Sequence, residues 1–397
     1  MEVSKDYWPP VYFAAGTGSE TSRAFISPAR YLQGPGRFAQ LGPFLKLFDT
    51  RMAGVLISQR SAGSEGARLL DSIRQADVPT TISHFQGECS MSEIERHVAS
   101  FAPSKPDILI AAGGGKAIDT GKAVASRLSI PVVIAPTLAS NDAPCSALSV
   151  LYNEDGVSVG AECYCHSPTL VIVDTEVVAA ASARYLVSGM GDAMATWYEA
   201  EAAGRNPNGV TTLGTRPTLA ARAIGNTCCN TLFEQGALAA AAVAEGRIDQ
   251  ALEDIVEANT LLSGIGFESG GLAGAHGFAQ ALTALPVTER NFLHGEMVAF
   301  GTLAQLALEK NDAELERVAR FFAKVGLPIS LSQLSVSNAD KAAIDTIVQG
   351  TSEFPFIGNM PVDVSPESLR AAVIRADGAG SRVREEVGDA AYKALHM

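Results

Sequence analysis

Residues 107–122, Asp107-Ile-Leu-Ile-Ala-Ala-Gly113-Gly114-Gly115-Lys116-Ala-Ile-Asp119-Thr-Gly-Lys122, read as a buried strand, a glycine turn and the start of an amphipathic helix. Three consecutive glycines let backbone N–H groups converge at a helix N-terminus, where unpaired donors and the helix dipole favour a pyrophosphate. The same run serves equally as a plain strand-to-helix turn. It is neither G-x-G-x-x-G nor G-x-x-x-x-G-K-[ST], which disfavours a standard Rossmann fingerprint and a P-loop kinase. The next strand, Pro131-Val-Val-Ile-Ala-Pro136, runs into Thr137, Ser140, Asn141, Asp142 and Ser146. Hydroxyls and a carboxylate just past a strand's C-terminal end stand where open α/β sheets bind ligands. A polar loop capped by Asp142 is the plainer alternative.

Outward from this stretch, β-branched runs at 54–58, 107–112, 131–135 and 169–173 alternate with helical patterns, which predicts a parallel α/β sheet. Ser90-Met91-Ser92-Glu93 is a capping box that starts a helix through about Ser100. Beyond about residue 185 the β-branched runs give way to Ala/Leu-rich helical periodicity, as over 217–242 and 248–265, so the second half is expected to be all-helical. The expected organisation is an irregular arm over 1–24, an α/β domain over 25–182 and a helical domain over 183–397.

Thirty Lys+Arg against 43 Asp+Glu give a formal charge of −13, leaving no basic face for a phosphate backbone, so nucleic acid is not an expected partner. Hydrophobic residues at 47% and charged ones at 18% describe a well-buried globular chain rather than a disordered one. Six cysteines without framework spacing point to a reducing compartment, and with no signal-like N-terminus and no long apolar run a cytoplasmic, membrane-free location is expected.

Six runs resemble the glycerol dehydrogenases of the iron-containing alcohol dehydrogenase superfamily, whose fold is shared with dehydroquinate synthase. They are FQGECS (85–90), GGGKAIDTGKA (113–123), TLASNDAPCSALSVLY (137–152), GMGDAMATWYEA (189–200), ANTLLSGIGFESGGLAGAH (258–276) and HGEMVAFGTLAQLALE (294–309). The resemblance implies a dinucleotide-binding α/β domain followed by an all-α metal-binding domain, with the active site between them, in a homo-oligomer. It places the metal ligands on Asp192, His276 and His294. It places the cofactor contacts on Gly113, Gly114, Gly115, Lys116, Asp119, Thr137, Ser140, Ser146, Leu148 and Tyr152, and a substrate carboxylate on Asp142. One carboxylate and two imidazoles with an open position suit catalytic Zn²⁺, with Fe²⁺ also known in the superfamily. Asp192 is expected near the start of a helix, with His276 and His294 brought together by a helical hairpin broken at Pro286.

The implied reaction is hydride transfer between a small polyol or secondary alcohol, glycerol foremost, and NAD(H). Three departures bear on it. Gln59 stands where relatives carry an acid that meets the adenosine ribose, with Arg60 beside it, so NADP(H) stays open behind NAD(H). Ala279 replaces a histidine, which is expected to remove a polar group beside the substrate, and Asn141 replaces a threonine. The cluster Cys163-Tyr-Cys165-His166 lacks the partner pair that a second metal site requires. Rival readings are a reductase of another ketone or 2-oxo acid, a dehydroquinate synthase-like lyase, and a non-catalytic homologue.

Overall fold

The computed structural model describes residues 22–154 and 156–396, so the arm expected over 1–24 lies almost wholly outside the described residues. Eight strands follow in chain order: β1 (Tyr31–Gly34), β2 (Ala53–Ile57), β3 (Thr80–His84), β4 (Ile108–Gly113), β5 (Val132–Pro136), β6 (Leu148–Tyr152), β7 (Ser158–Cys163) and β8 (Leu170–Asp174). Six of them form a parallel sheet in the order β1-β8-β5-β4-β2-β3, and β6 and β7 make a separate antiparallel hairpin. The helices that carry or brace the site are α1 (Met91–Phe101), α2 (Gly115–Leu128), α3 (Ala183–Arg205), α4 (Leu219–Ala244), α5 (Ser263–Gly270), α6 (Gly274–Thr283), α7 (His294–Leu308) and α8 (Ala390–His396).

β2, β4, β5 and β8 are buried along their whole length, which is why they read as continuous apolar runs. Alternation divides them between two cores. Val55, Ile57, Ile110, Val133 and Ile172 pack under Phe38, Leu41, Leu69 and Ile73 on one face. Leu56, Leu109, Ala111, Ile134, Val171 and Val173 turn to the other face, whose core continues without a break into the helical half.

Ser90 caps α1 by accepting from Glu93 N, as its capping box predicts, although the Glu93 carboxylate accepts from Gln86 N instead of closing the box. Edge strands β1 and β3 and the hairpin are absent from the sequence reading, because each is only partly buried and so lacks the continuous apolar run that marks the central strands. Ser182 caps α3, and every named element from Ala183 onward is helical. The helix expected over 248–265 is broken by a π-wound segment at Ala258–Leu262. No helix among the described residues is long and apolar enough to cross a membrane.

Candidate active site at the strand ends

β4 ends at Gly113, whose φ of 154° belongs to a region that side-chain-bearing residues avoid, and the chain turns through Gly114 straight into α2. A Cβ at Gly113 would also meet the Ala117 methyl at 2.8 Å. The free amides at the start of α2 therefore open into a cavity of about 620 Å³. Of the expected cofactor contacts, Gly113, Gly114, Gly115, Lys116, Asp119, Thr137, Ser140, Ser146, Leu148 and Tyr152 line it, and so do Asp142, His276 and His294. Gln59 is exposed and does not line it, whereas Arg60 does.

Three of the cofactor candidates, Asp119, Ser146 and Lys116, already have side-chain partners. Buried Lys122 donates from Nζ to Ala143 O (2.8 Å), Ser146 Oγ (3.1 Å) and Leu148 O (2.5 Å), and pairs with Asp119 Oδ1 at 2.9 Å. Asp119 Oδ2 accepts from Val150 N at 3.0 Å. Burial raises the Asp119 carboxyl against the opposing pull of Lys122. Asp119 and Ser146 thus tie α2 to the hairpin, and Lys122, which sequence reasoning left out, is the hub. Its one signal is the i,i+3 spacing from Asp119 on the helix behind the glycines. Lys116 pairs with Glu88 of the 85–90 run and sits 5.1 Å above the Tyr152 ring.

Asp192, His276 and His294 offer ligand atoms that all lie within 4.8 Å of one another. Asp192 Oδ1 stands 3.4 Å from His276 Nε2 and 3.3 Å from His294 Nε2. Asp192 lies near the middle of the 23-residue α3 rather than near its start, because Ser182 caps the helix well before it and Gly191 is consumed in packing. A Cβ on Gly191 would lie 2.3 Å from Gly295 O, and one on Gly295 1.9 Å from Ser188 O, so only glycine lets α3 and α7 cross this closely and bring Asp192 beside His294.

His276 is held from behind by Glu199, two turns beyond Asp192 on α3. Glu199 Oε2 accepts from His276 Nδ1 at 2.6 Å, and Oε1 accepts from Ala273 N and His276 N at 2.8 and 2.9 Å. Gln305 Oε1 takes the two remaining amides, Gly274 N and Ala275 N, at 3.0 and 2.9 Å. All four free N–H groups of the α6 N-terminus are satisfied, and the carboxylate sits at its positive end. The Glu199 bond fixes the tautomer that leaves Nε2 as a lone pair facing Asp192. Sequence reasoning missed Glu199 and Gln305, since both helices are buried all round and show no polar stripe.

The donor set fits a divalent cation: two imidazole nitrogens and one carboxylate oxygen, with the buried Asp192 Oδ1 lacking any hydrogen-bond partner. Burial raises the Asp192 carboxyl, but the facing imidazoles of His294 and His276 outweigh it and hold the group well below the usual carboxylate range. Burial lowers the His276 imidazole, which Glu199 and Asp192 more than reverse. Asp142 moves oppositely, raised by burial and by the Asp192 charge. Its N–H donates to Asp192 Oδ2 at 3.2 Å and its Oδ2 accepts from Ser263 Oγ at 3.3 Å. Asn259 of the π-wound segment rivets the same loop, donating to Ala139 O and to Leu186 O of α3, both at 2.9 Å.

The expectation for Ala279 needs correction. The cavity-facing stripe of α6 is His276, Gln280 and Thr283, spaced i, i+4 and i+7, and Ala279 is 1% exposed behind it. Cys163 is buried and Cys165 exposed, and the triad is the one metal-competent cluster among the described residues.

A glycerol dehydrogenase of Escherichia coli O6:H1 is 42% identical over 367 residues, covering 92% of this chain and 99% of its own. The chain belongs to the iron-containing alcohol dehydrogenase family. The sequence profile of the iron-containing alcohol dehydrogenases matches residues 28–175, which span the parallel sheet. A glycolaldehyde reductase of Halobacterium salinarum is 40% identical, covering 91% of this chain and 99% of its own. The crystal structure of glycerol dehydrogenase from Schizosaccharomyces pombe superposes with a TM-score of 0.87 at 34% identity, over 93% of this chain and 94% of that one. The chain is therefore an oxidoreductase built on the family's sheet domain and helical domain.

Proposed function

We propose that this chain oxidises a small polyol or secondary alcohol to the corresponding ketone, glycerol to dihydroxyacetone foremost, with NAD⁺ as hydride acceptor. The observation that carries this reading is the convergence of Asp192, His276 and His294 on the wall of the cavity that begins at the glycine turn. Residues 25–182 would hold the dinucleotide and residues 183–397 the ion and the alcohol. Zinc suits the donor set best, with iron(II) the alternative. When bound, such an ion supplies Lewis acidity toward a hydroxyl or carbonyl oxygen.

The protein's own groups bind and orient. Glu199 keeps the Nε2 lone pair of His276 directed at Asp192 by accepting the Nδ1 proton. Asp142, steadied through Oδ2 by Ser263, leaves Oδ1 for a second substrate hydroxyl. Phe267, Leu272, Phe354 and Phe356 give the cavity an apolar wall that excludes water from the reacting carbon. Gln280 and Thr283 are the polar groups beside them on the α6 stripe.

The likeness to a glycolaldehyde reductase favours one second reading, reduction of a small carbonyl compound at the same site. A phosphate-releasing lyase is disfavoured, since the cations lining the cavity are Arg60 and Lys116 with the two histidines, and neither Arg60 nor Lys116 belongs to the triad. A cytoplasmic homo-oligomer remains part of the proposal. Metal analysis of the purified protein, coupled to NADH absorbance assays with glycerol, propane-1,2-diol, butane-2,3-diol and their ketones, tests it. Full turnover after exhaustive chelation, or no hydride transfer across the panel, would sink it.

A further inference from the structure

Coenzyme choice rests on the same cavity, given that it holds a dinucleotide as proposed. With the nicotinamide at the triad and the pyrophosphate on the glycine turn, the adenosine must extend toward β2, which lies beside β4 with Ile57 opposite Ala112. The cavity wall there is Ser58, Arg60, Ser61, Phe85 and Gly87, and none of these carries a carboxylate. An acid nevertheless reaches this wall from behind. Glu65 Oε1 accepts from Arg60 Nη2 and from Ser61 Oγ, both at 2.8 Å, and Ser64 Oγ donates to Oε2. The Glu65 side chain is 20% exposed and that of Arg60 is 79% exposed.

A ribose 2′-phosphate at this end would draw on the Arg60 guanidinium and the Ser58 and Ser61 hydroxyls. Glu65 already occupies two of those three donors and adds a negative charge behind them.

We propose that Glu65 sets coenzyme choice in this chain, withholding Arg60 and Ser61 from a 2′-phosphate and so selecting NAD(H) over NADP(H). It is a positioning residue, acting through the two side chains that face the cavity. With its Arg60 end open to solvent, this ion pair contributes little to stability, so its loss stays local.

The test uses the full-length, metal-loaded enzyme and its Glu65→Gln and Glu65→Gln/Arg60→Ala variants. NADH and NADPH binding are titrated by fluorescence without alcohol, and kcat and KM are measured with both oxidised coenzymes. The expected result is a wild type that prefers NAD⁺, and a Glu65→Gln variant whose NADP⁺:NAD⁺ ratio of kcat/KM rises about tenfold, through KM with kcat unchanged. Arg60→Ala should abolish that gain. An unchanged ratio in Glu65→Gln, a gain that survives Arg60→Ala, or a wild type that binds both coenzymes equally would overturn the assignment. A wild type that binds both NADH and NADPH too weakly to titrate would instead overturn the dinucleotide reading, and this proposal with it.

Discussion

Glu199 makes three of the contacts that place His276, one to its ring and two to backbone amides, and it touches none of the cavity. Partners of this kind typically account for about 10–100-fold in metal affinity. Glu199→Gln should weaken Zn²⁺ binding by roughly that factor in competition with a chromophoric chelator. Asp192→Asn should abolish binding and turnover together, and retention of stoichiometric zinc would contradict the ligand assignment. The ligands themselves were legible, because they stand in runs such as GMGDAMATWYEA and HGEMVAFG. Their supports were not. Glu199 and Gln305 sit on helices buried on every side, where hydrophobic periodicity carries no directional signal. Lys122 is marked in the sequence only by its spacing from Asp119, because its three carbonyl and hydroxyl acceptors come from a segment more than 20 residues further on.

At the level of elements, the crossing of α3 and α7 fixes the distance between two ligands. Gly295→Ala would put a methyl 1.9 Å from the backbone Ser188 O, which cannot swing aside as a side chain could, so the helices must part. The expected cost is about 1–3 kcal/mol of stability, read as a lower Tm, together with weaker zinc binding because His294 begins α7. A normal Tm and normal metal content would show the crossing to be looser than described. The first turn of α7 is braced again by Glu296, which accepts from Leu293 N, from Arg184 and from His396 of α8. Deleting residues 390–397 should therefore speed zinc loss to EDTA while leaving far-UV circular dichroism nearly unchanged, and an unaltered loss rate would dissociate α8 from the site. The four central strands could be read directly, since burial on both faces makes them apolar throughout. β1, β3 and the β6–β7 hairpin could not, because partial exposure leaves Thr80-Thr-Ile-Ser-His84 and its like without an apolar run to mark them.

Across the whole molecule, the α/β and helical halves share one core, and a buried acid lies at their junction. Glu268 of α5 is 2% exposed. Its Oε1 accepts from Ala147 N at 2.9 Å, while Oε2 has no partner. Burial, against the weaker pulls of that amide and Lys122, raises its carboxyl to about 7. A folded-state value above the unfolded one means that the native protein binds the extra proton. Its contribution is whole below about pH 4.5 and is lost as pH rises through about 7. Glu268→Gln should accordingly raise Tm at pH 8, with a gain of roughly 2–4 kcal/mol, and change little at pH 4.5. An equal shift at both pH values would refute the linkage. The two-part architecture was legible from the change in periodicity near residue 185, but the junction was not, because it is made by single side chains from distant segments. The α6 N-terminus has every amide answered by Glu199 and Gln305, so protein atoms alone hold this histidine in place. Reconstitution should thus resemble a key entering a cut lock: enzyme stripped by chelator would recover its turnover within the mixing time after zinc is restored, with no lag for reorganisation.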